Sequence, residues 1–290
     1  MKWEKLGQIT DIHASYPVAE MIDDRIRVYY SSRTDGPSNV FFMDVDANNP
    51  TRVVCDPRTP IIQPGSAGTF DCDGVAPRCI VVENDEKRLY TIGWNKKITT
   101  PYQLAVGVAI EKNNQWEKMP GPVLDRDFDD PYFCTSACVI HHESKWKCWY
   151  CSCTNWIEGK EPVYLIKYAE SEDGFRWKKN NNICIKYDQF TKAIGWPMVW
   201  IENSMFKMMF SYRSDHPEYR TNKEYGYRLG YAESDDGIEW IIKNEEIGIY
   251  RSDSGWDSEM MAYTTLCNDL LFYNGNGFGK TGIGVARRIS

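Results

Sequence analysis

Asp73 and Glu259 are the two acids of this 290-residue sequence most able to work as a pair. Each stands four residues ahead of an apolar anchor, in Asp73-Gly74-Val75-Ala76-Pro77 and Glu259-Met260-Met261-Ala262-Tyr263. Two carboxylates held at the starts of different strands can divide a proton transfer, one as acid and the other as base or nucleophile. Asp71 and Asp257 stand two residues before them. His13 holds the same place ahead of an earlier anchor, Pro17, where an imidazole can be acid, base or hydroxyl partner. Arg33 and Arg213 each follow an aromatic residue, Tyr30 or Phe210, by three positions, and a planar guanidinium fork suits a carboxylate or phosphate. The neighbouring acids Asp35 and Asp215 are expected to neutralise them in part. Trp94, Trp196 and Trp256 can stack on a flat ligand, and Asn274, in Tyr273-Asn274-Gly275-Asn276, offers an amide.

These residues need a frame, and the frame is a repeat. Pro17, Pro77, Ala137 and Pro197 are spaced by 60, and each opens a short apolar run. Tyr30, Tyr90, Tyr150 and Phe210, again 60 apart, each close a second run. Polar turns such as Glu83-Asn84-Asp85-Glu86 lie between the two runs, which reads as a recurring hairpin. Tyr263 to Tyr273 supplies a shorter copy. The second half repeats as well: Tyr168-Ala169-Glu170-Ser171-Glu172-Asp173-Gly174 parallels Tyr231-Ala232-Glu233-Ser234-Asp235-Asp236-Gly237. Units of about 60 residues with four short strands each predict an all-β fold: a five-bladed β-propeller of four-stranded antiparallel blades, a single domain over 1–290. The opening Lys2-Trp3-Glu4-Lys5 resembles Gln115-Trp116-Glu117-Lys118, so the N-terminal strand is expected to close the last blade. The loops before each inner strand and after each second strand then gather at one face.

A net charge of −7 without a basic cluster argues against nucleic acid or an anionic membrane as partner. The first residues lack the apolar core of a signal peptide, and no apolar stretch is long enough to span a bilayer. A cytoplasmic location is expected, with the ten cysteines reduced. Cys148, Cys151 and Cys153 lie on one strand-like run without a second pair at zinc-finger spacing, so thiols rather than a metal site are expected, and no cofactor.

The propeller with acids at its inner strand starts, and the pattern Trp256-Asp257-Ser258-Glu259-Met260, Tyr273-Asn274-Gly275-Asn276 and Gly282-Ile283-Gly284, resembles the five-bladed glycosidase superfamily. That group contains arabinanases and β-xylosidases, invertases and levansucrases, and mannoside phosphorylases; the likeness is to its uncharacterised members. The resemblance covers nearly the whole chain. It implies a carbohydrate substrate and two or three carboxylates facing a central cavity. Glycoside cleavage needs one acid to protonate the leaving oxygen and one carboxylate to activate water or attack, which makes Asp73 and Glu259 the expected catalytic pair. His13, Asp71, Asp257, Arg33, Arg213, Trp94, Trp196, Trp256 and Asn274 become expected sugar contacts. The third inner strand begins Phe133-Cys134-Thr135-Ser136, without the Glu that arabinanase-type members carry there. A hydrolase is the leading expectation. A phosphorylase with phosphate on the two arginines, and a non-catalytic glycan-binding propeller, stand beside it.

Overall fold

The computed structural model describes residues 1–289 other than 34, 35, 189, 190, 215 and 221. The strands follow one another as β1 (Trp3–Thr10), β2 (Ser15–Ile22), β3 (Arg25–Ser32), β4 (Asn39–Asp46), β5 (Val53–Cys55), β6 (Gly74–Glu83), β7 (Glu86–Lys96), β8 (Tyr102–Lys112), β9 (Gln115–Lys118) and β10 (Cys134–His142). Then come β11 (Lys145–Ile157), β12 (Glu161–Ser171), β13 (Lys178–Ile185), β14 (Ala193–Glu202), β15 (Met205–Arg213), β16 (Arg228–Ser234), β17 (Ile241–Ile242), β18 (Ala262–Cys267), β19 (Leu270–Asn274) and β20 (Ile283–Arg288).

β2 to β5 form one four-stranded antiparallel sheet and β6 to β9 another. An eight-stranded sheet contains β10 to β13 and β14 to β17, joined by a single parallel pair, Tyr164 with Ala193. The remaining sheet runs β1-β20-β19-β18, so the N-terminal strand pairs with the last strand. The inner strands touch in cyclic order, β2, β6, β10, β14, β18 and back to β2. This is a propeller-like, nearly all-β architecture. No helix among the described residues is long and apolar enough to cross a membrane.

Local chemistry explains the hairpins. Asn84-Asp85, Asn113-Asn114, Glu143-Ser144 and Asn203-Ser204 all take positive φ at both turn positions, the primed turn that matches strand twist. Asp173 and Asp236 cap tighter turns by accepting two backbone N–H groups each, with Gly174 and Gly237 at φ 75° and 79°. An aromatic donor of the preceding unit pins each turn: the Tyr90 hydroxyl donates to the Gly174 carbonyl at 2.9 Å, and Trp149 Nε1 to that of Gly237 at 2.6 Å.

Apolar clusters lie at every junction of neighbouring units, and one more surrounds the axis. Burial of each such side chain contributes roughly 1.5–3 kcal/mol. The closing junction uses Ile26, Val28 and Met43 from one unit against Leu270, Phe272 and Val285 of the last. At the junction on the other side of the last sheet, Trp3 Nε1 donates to the Ile247 carbonyl at 3.0 Å, which ties β1 to the preceding unit.

Candidate functional site

Each inner strand carries a bulge, and the bulges build the axial site. In β2, Ser15 pairs with Ser31 and Val18 with Tyr29, leaving two residues opposite Tyr30. The same two-against-one step recurs at Ser136-Ala137, Trp196-Pro197 and Tyr263-Thr264. The first bulged residue takes positive φ at Tyr16, Ser136, Trp196 and Tyr263, between 53° and 64°. Bulky side chains seldom adopt that conformation, and something must hold it. The backbone N–H groups of Tyr16, Trp196 and Tyr263 donate to Asn274 Oδ1, Cys151 Sγ and Ser211 Oγ. All three acceptors hold the same second-strand place in the unit preceding the bulge.

The bulges aim three rings at the axis. Tyr16 stacks on Trp196 with centroids 4.7 Å apart, and Tyr263 lies 4.8 Å from Tyr16 and 4.6 Å from Trp196. Above this aromatic floor is a cavity of about 490 Å³. Arg33, Trp94 and Arg213, at matching ends of three second strands, line it. Tyr164 and Tyr227, equivalent residues of neighbouring third strands, touch through their hydroxyls in the wall. Burial pushes the Tyr16, Tyr164 and Tyr263 phenols above their ordinary range, so these hydroxyls stay protonated.

The wall is cationic. Arg213 is 2% exposed; it donates to the carbonyls of Ser214 and Pro162, and its face lies 3.8 Å from the Tyr219 ring centroid. Glu161 is 3.7 Å from Arg213 and 3.3 Å from Arg220, and accepts from the Tyr219 hydroxyl at 2.6 Å. Arg33 lies over the Trp94 ring at 5.3 Å. Asp35 and Asp215, the expected counter-charges of the two arginines, lie outside the described residues. His13 completes the rim, its Nε2 3.3 Å from Ser15 Oγ. Burial and then the Arg33 charge hold its pKa below the usual value, which favours neutral imidazole. Three residues of the lining each hold a buried polar atom without a partner among the described residues: Trp196 Nε1, Arg213 Nε and Thr135 Oγ1.

Of the residues expected from the sequence, His13, Arg33, Trp94, Trp196 and Arg213 come together here. Asp71, Asp73, Asp257, Trp256, Glu259 and Asn274 are not in the lining. The two expected catalytic acids differ from the cavity row by one residue. Gly74 pairs with Trp94 just as Ala193 pairs with Arg213, so Gly74, not Asp73, holds the place of His13. The pairing of Ala262 with Asn274 matches Ser15 with Ser31, which gives that place to Met260 rather than Glu259. Asp73 instead accepts the Lys96 N–H at 2.8 Å, and the Glu259 side chain is exposed.

Asp71 and Asp257 belong to a structural row with Asp130. All three are at most 2% exposed, in equivalent loops before an inner strand. Each pairs with a lysine of its own sheet's outer strand: Lys118, Lys5 at 2.6 Å and Lys179 at 3.0 Å. The hydroxyls of Tyr150 and Tyr273 donate to Asp130 and Asp257. Trp256 stacks on Tyr273 with centroids 5.3 Å apart; a Cβ added at Gly284 would lie 2.1 Å from Trp256 Cη2. Asn274 is the closing latch, donating to Ala14 and Gly282 carbonyls while holding Tyr16. Sequence reasoning does not find Tyr16, Tyr263 or the Tyr164–Tyr227 pair. The pair does leave a signal, since both residues stand four before the repeated Tyr-Ala-Glu-Ser.

No protein-family model matches the chain. Among solved structures, one described as "Glycoside hydrolase" is similar with TM-score 0.75 and 14% identity, covering 99% of this chain and 92% of that one. A second, a glycosyl hydrolase from Bacteroides ovatus, gives TM-score 0.68 and 16% identity over 96% of this chain and 84% of that one. A third comes from work described as "The GH130 family of mannoside phosphorylases contains glycoside hydrolases that target beta-1,2 mannosidic linkages in Candida mannan", with TM-score 0.67 and 14% identity over 95% and 84%. These likenesses establish a glycosidase-type fold. In sequence, the chain is 32% identical over 308 residues to "Uncharacterized protein Rv1502" of Mycobacterium tuberculosis strain ATCC 25618 / H37Rv, covering 99% of both. The same values hold for "Uncharacterized protein MT1551" of strain CDC 1551 / Oshkosh. The chain therefore belongs to the family of these two mycobacterial proteins.

Proposed function

We propose that the protein is a carbohydrate-active, single-domain, five-bladed propeller whose sugar site is the axial cavity. The eight-stranded sheet counts as two blades in this reading, and the sheet containing β1 is the last blade. One observation carries the functional part: an aromatic floor in a cavity whose lining residues include buried polar atoms without partners among the described residues. Stacked rings suit the apolar face of a sugar, and orphaned Trp196 Nε1, Arg213 Nε and Thr135 Oγ1 suit its oxygens. The glycosidase-type fold supports the same reading.

Hydrolysis by a carboxylate pair needs two acids on either side of the sugar, roughly 5–10 Å apart. No Asp or Glu among the described residues lines the cavity. Asp73 and Glu259 stand outside that lining, one residue from the row that faces the axis. The group placed to move a proton there is His13. An enzymatic reading keeps its support from the neutral state of His13, which can accept a proton.

Calorimetric titration with a glycan panel tests the site. Trp94→Ala should weaken binding about two- to tenfold, the contribution of one stacked ring, with the circular dichroism spectrum unchanged. Equal affinity of variant and wild type would refute the cavity as the sugar site. Reducing-sugar release from the bound glycan, with and without phosphate, then assigns hydrolase, phosphorylase or binder.

A further inference from the structure

Three guanidinium groups, of Arg33, Arg213 and Arg220, line one cavity, and one carboxylate among the described residues, Glu161, stands against two of them. Glu161 is already engaged by the Tyr219 hydroxyl and faces Arg213 only at 3.7 Å. Arg33 has an aromatic ring beside it and no carboxylate partner among the described residues. Arg213 is sharper still. Its two terminal nitrogens reach backbone carbonyls, while Nε–H is buried with no acceptor among the described residues. A buried cation with an unmet donor is costly. At a cavity wall, it is a place where an acceptor belongs.

Resting on the sugar-site reading above, we propose that the ligand is an acidic sugar, one whose ring carries its own carboxylate or phosphate, with the oxyanion held by Arg33 and Arg213. Four observations point the same way. The two arginines occupy equivalent second-strand ends of different sheets, so they approach one volume from separate sides. The third guanidinium, Arg220, sits over the Tyr219 and Phe278 rings at the same cavity. The aromatic floor gives the ring a face to stack on, which a free inorganic anion would not use. The Arg33 charge reaches His13 at the rim, adding after burial to the lowering of its pKa. The arrangement differs from a lone surface arginine because Arg213 is buried, and planar, charge-assisted bonds strengthen where water is excluded.

The experiment is calorimetric titration of the full chain with glucuronic acid, glucose 6-phosphate, glucose and inorganic phosphate. The acidic sugars should bind at least tenfold more tightly than glucose, the fold-change of one hydrogen bond to a charged group. Raising the salt should shrink that advantage. Arg33→Met should erase most of it, since this exposed residue can change without unfolding the chain. Arg213→Lys, which keeps a buried cation, should reduce it too. Equal binding of charged and neutral sugars overturns the acidic-sugar inference and leaves the sugar site standing. Phosphate binding as tightly as glucose 6-phosphate also overturns it, by assigning the pocket to the free ion. Failure of all four to bind overturns the sugar reading itself.

Discussion

Two rows of side chains run around this molecule at fixed places in the repeat, and they behave in opposite ways. The outer row is Asp71, Asp130 and Asp257, each buried and each locked to a lysine of its own sheet. The axial row is Arg33, Trp94 and Arg213, with Cys153 and Asn276 at the remaining equivalent places. Where the repeat uses one residue type for one job, the job is holding a sheet together. Where it breaks uniformity at a position facing the axis, it builds a surface with a definite chemistry. An acid recurring at one repeat position is thus a poor catalytic candidate, although buried carboxylates attract attention as such.

The comparison breaks most visibly at Asp130. It neutralises two lysines, Lys167 at 2.8 Å and Lys179 at 3.0 Å, both nearly buried. Asp130→Asn keeps the shape but removes the charge. Urea denaturation should show a loss of about 3–5 kcal/mol, as when one partner of a buried pair is deleted. Burial alone would raise this carboxyl; hydrogen bonds from Lys167 and Ser152, with the Lys179 charge, bring it down to about 2. A depressed folded pKa contributes stability above the unfolded value near 3.9 that is lost as pH falls toward 2. Wild type should show that acid slope and the variant should lack it.

A smaller effect belongs to His13 on the axial side. Its folded pKa lies below 6.5, lowered by burial and by Arg33. Its contribution is fully present above about pH 6.5 and is lost as pH falls through the folded value. His13→Gln should flatten the decline in melting temperature below neutrality. An unchanged profile would mean that His13 is solvated in the folded state.

The smallest effects are expected at Asp73 and Glu259. Asp73→Asn and Glu259→Gln should each change stability by no more than about 0.5 kcal/mol, as surface substitutions do, and leave ligand affinity intact. A large loss of binding or turnover in either variant would return the carboxylates to the site and dissolve the distinction between the two rows.

The sequence displays the strands and their repetition because period and turn chemistry are local. Asn84-Asp85 and Asn203-Ser204 announce hairpins by residue type alone. The likeness of Lys2-Trp3-Glu4-Lys5 to Gln115-Trp116-Glu117-Lys118 shows the outer-strand role of β1, down to the lysine that meets the buried acid. The bulges are not visible in this way. A tyrosine or tryptophan at positive φ has no compositional mark, since the conformation is imposed by a hydrogen bond from the preceding unit. Counting back from Pro77 and Tyr263 therefore lands one residue away from the row that faces the axis. That single slip selects Asp73 and Glu259. Burial is illegible for a related reason: Arg33 and Arg213 look alike in sequence, but the turn Pro217–Arg220 brings Tyr219 against Arg213, while Arg33 stays exposed.

The pairing of β1 with β20 also sets a clock. Thr10 pairs with Ile283 and Trp3 with Arg288, so β1 must wait for β20. At roughly 5–20 residues per second, the interval is on the order of 15–55 s. Throughout it, β1 has no ladder partner, and the closing junction lacks Ile283 and Val285. A product ending before β20 can bring β18 and β19 against β2 but leaves β1 without its ladder partner, so the ribosome's progress to β20 decides when the last sheet first has its fourth strand.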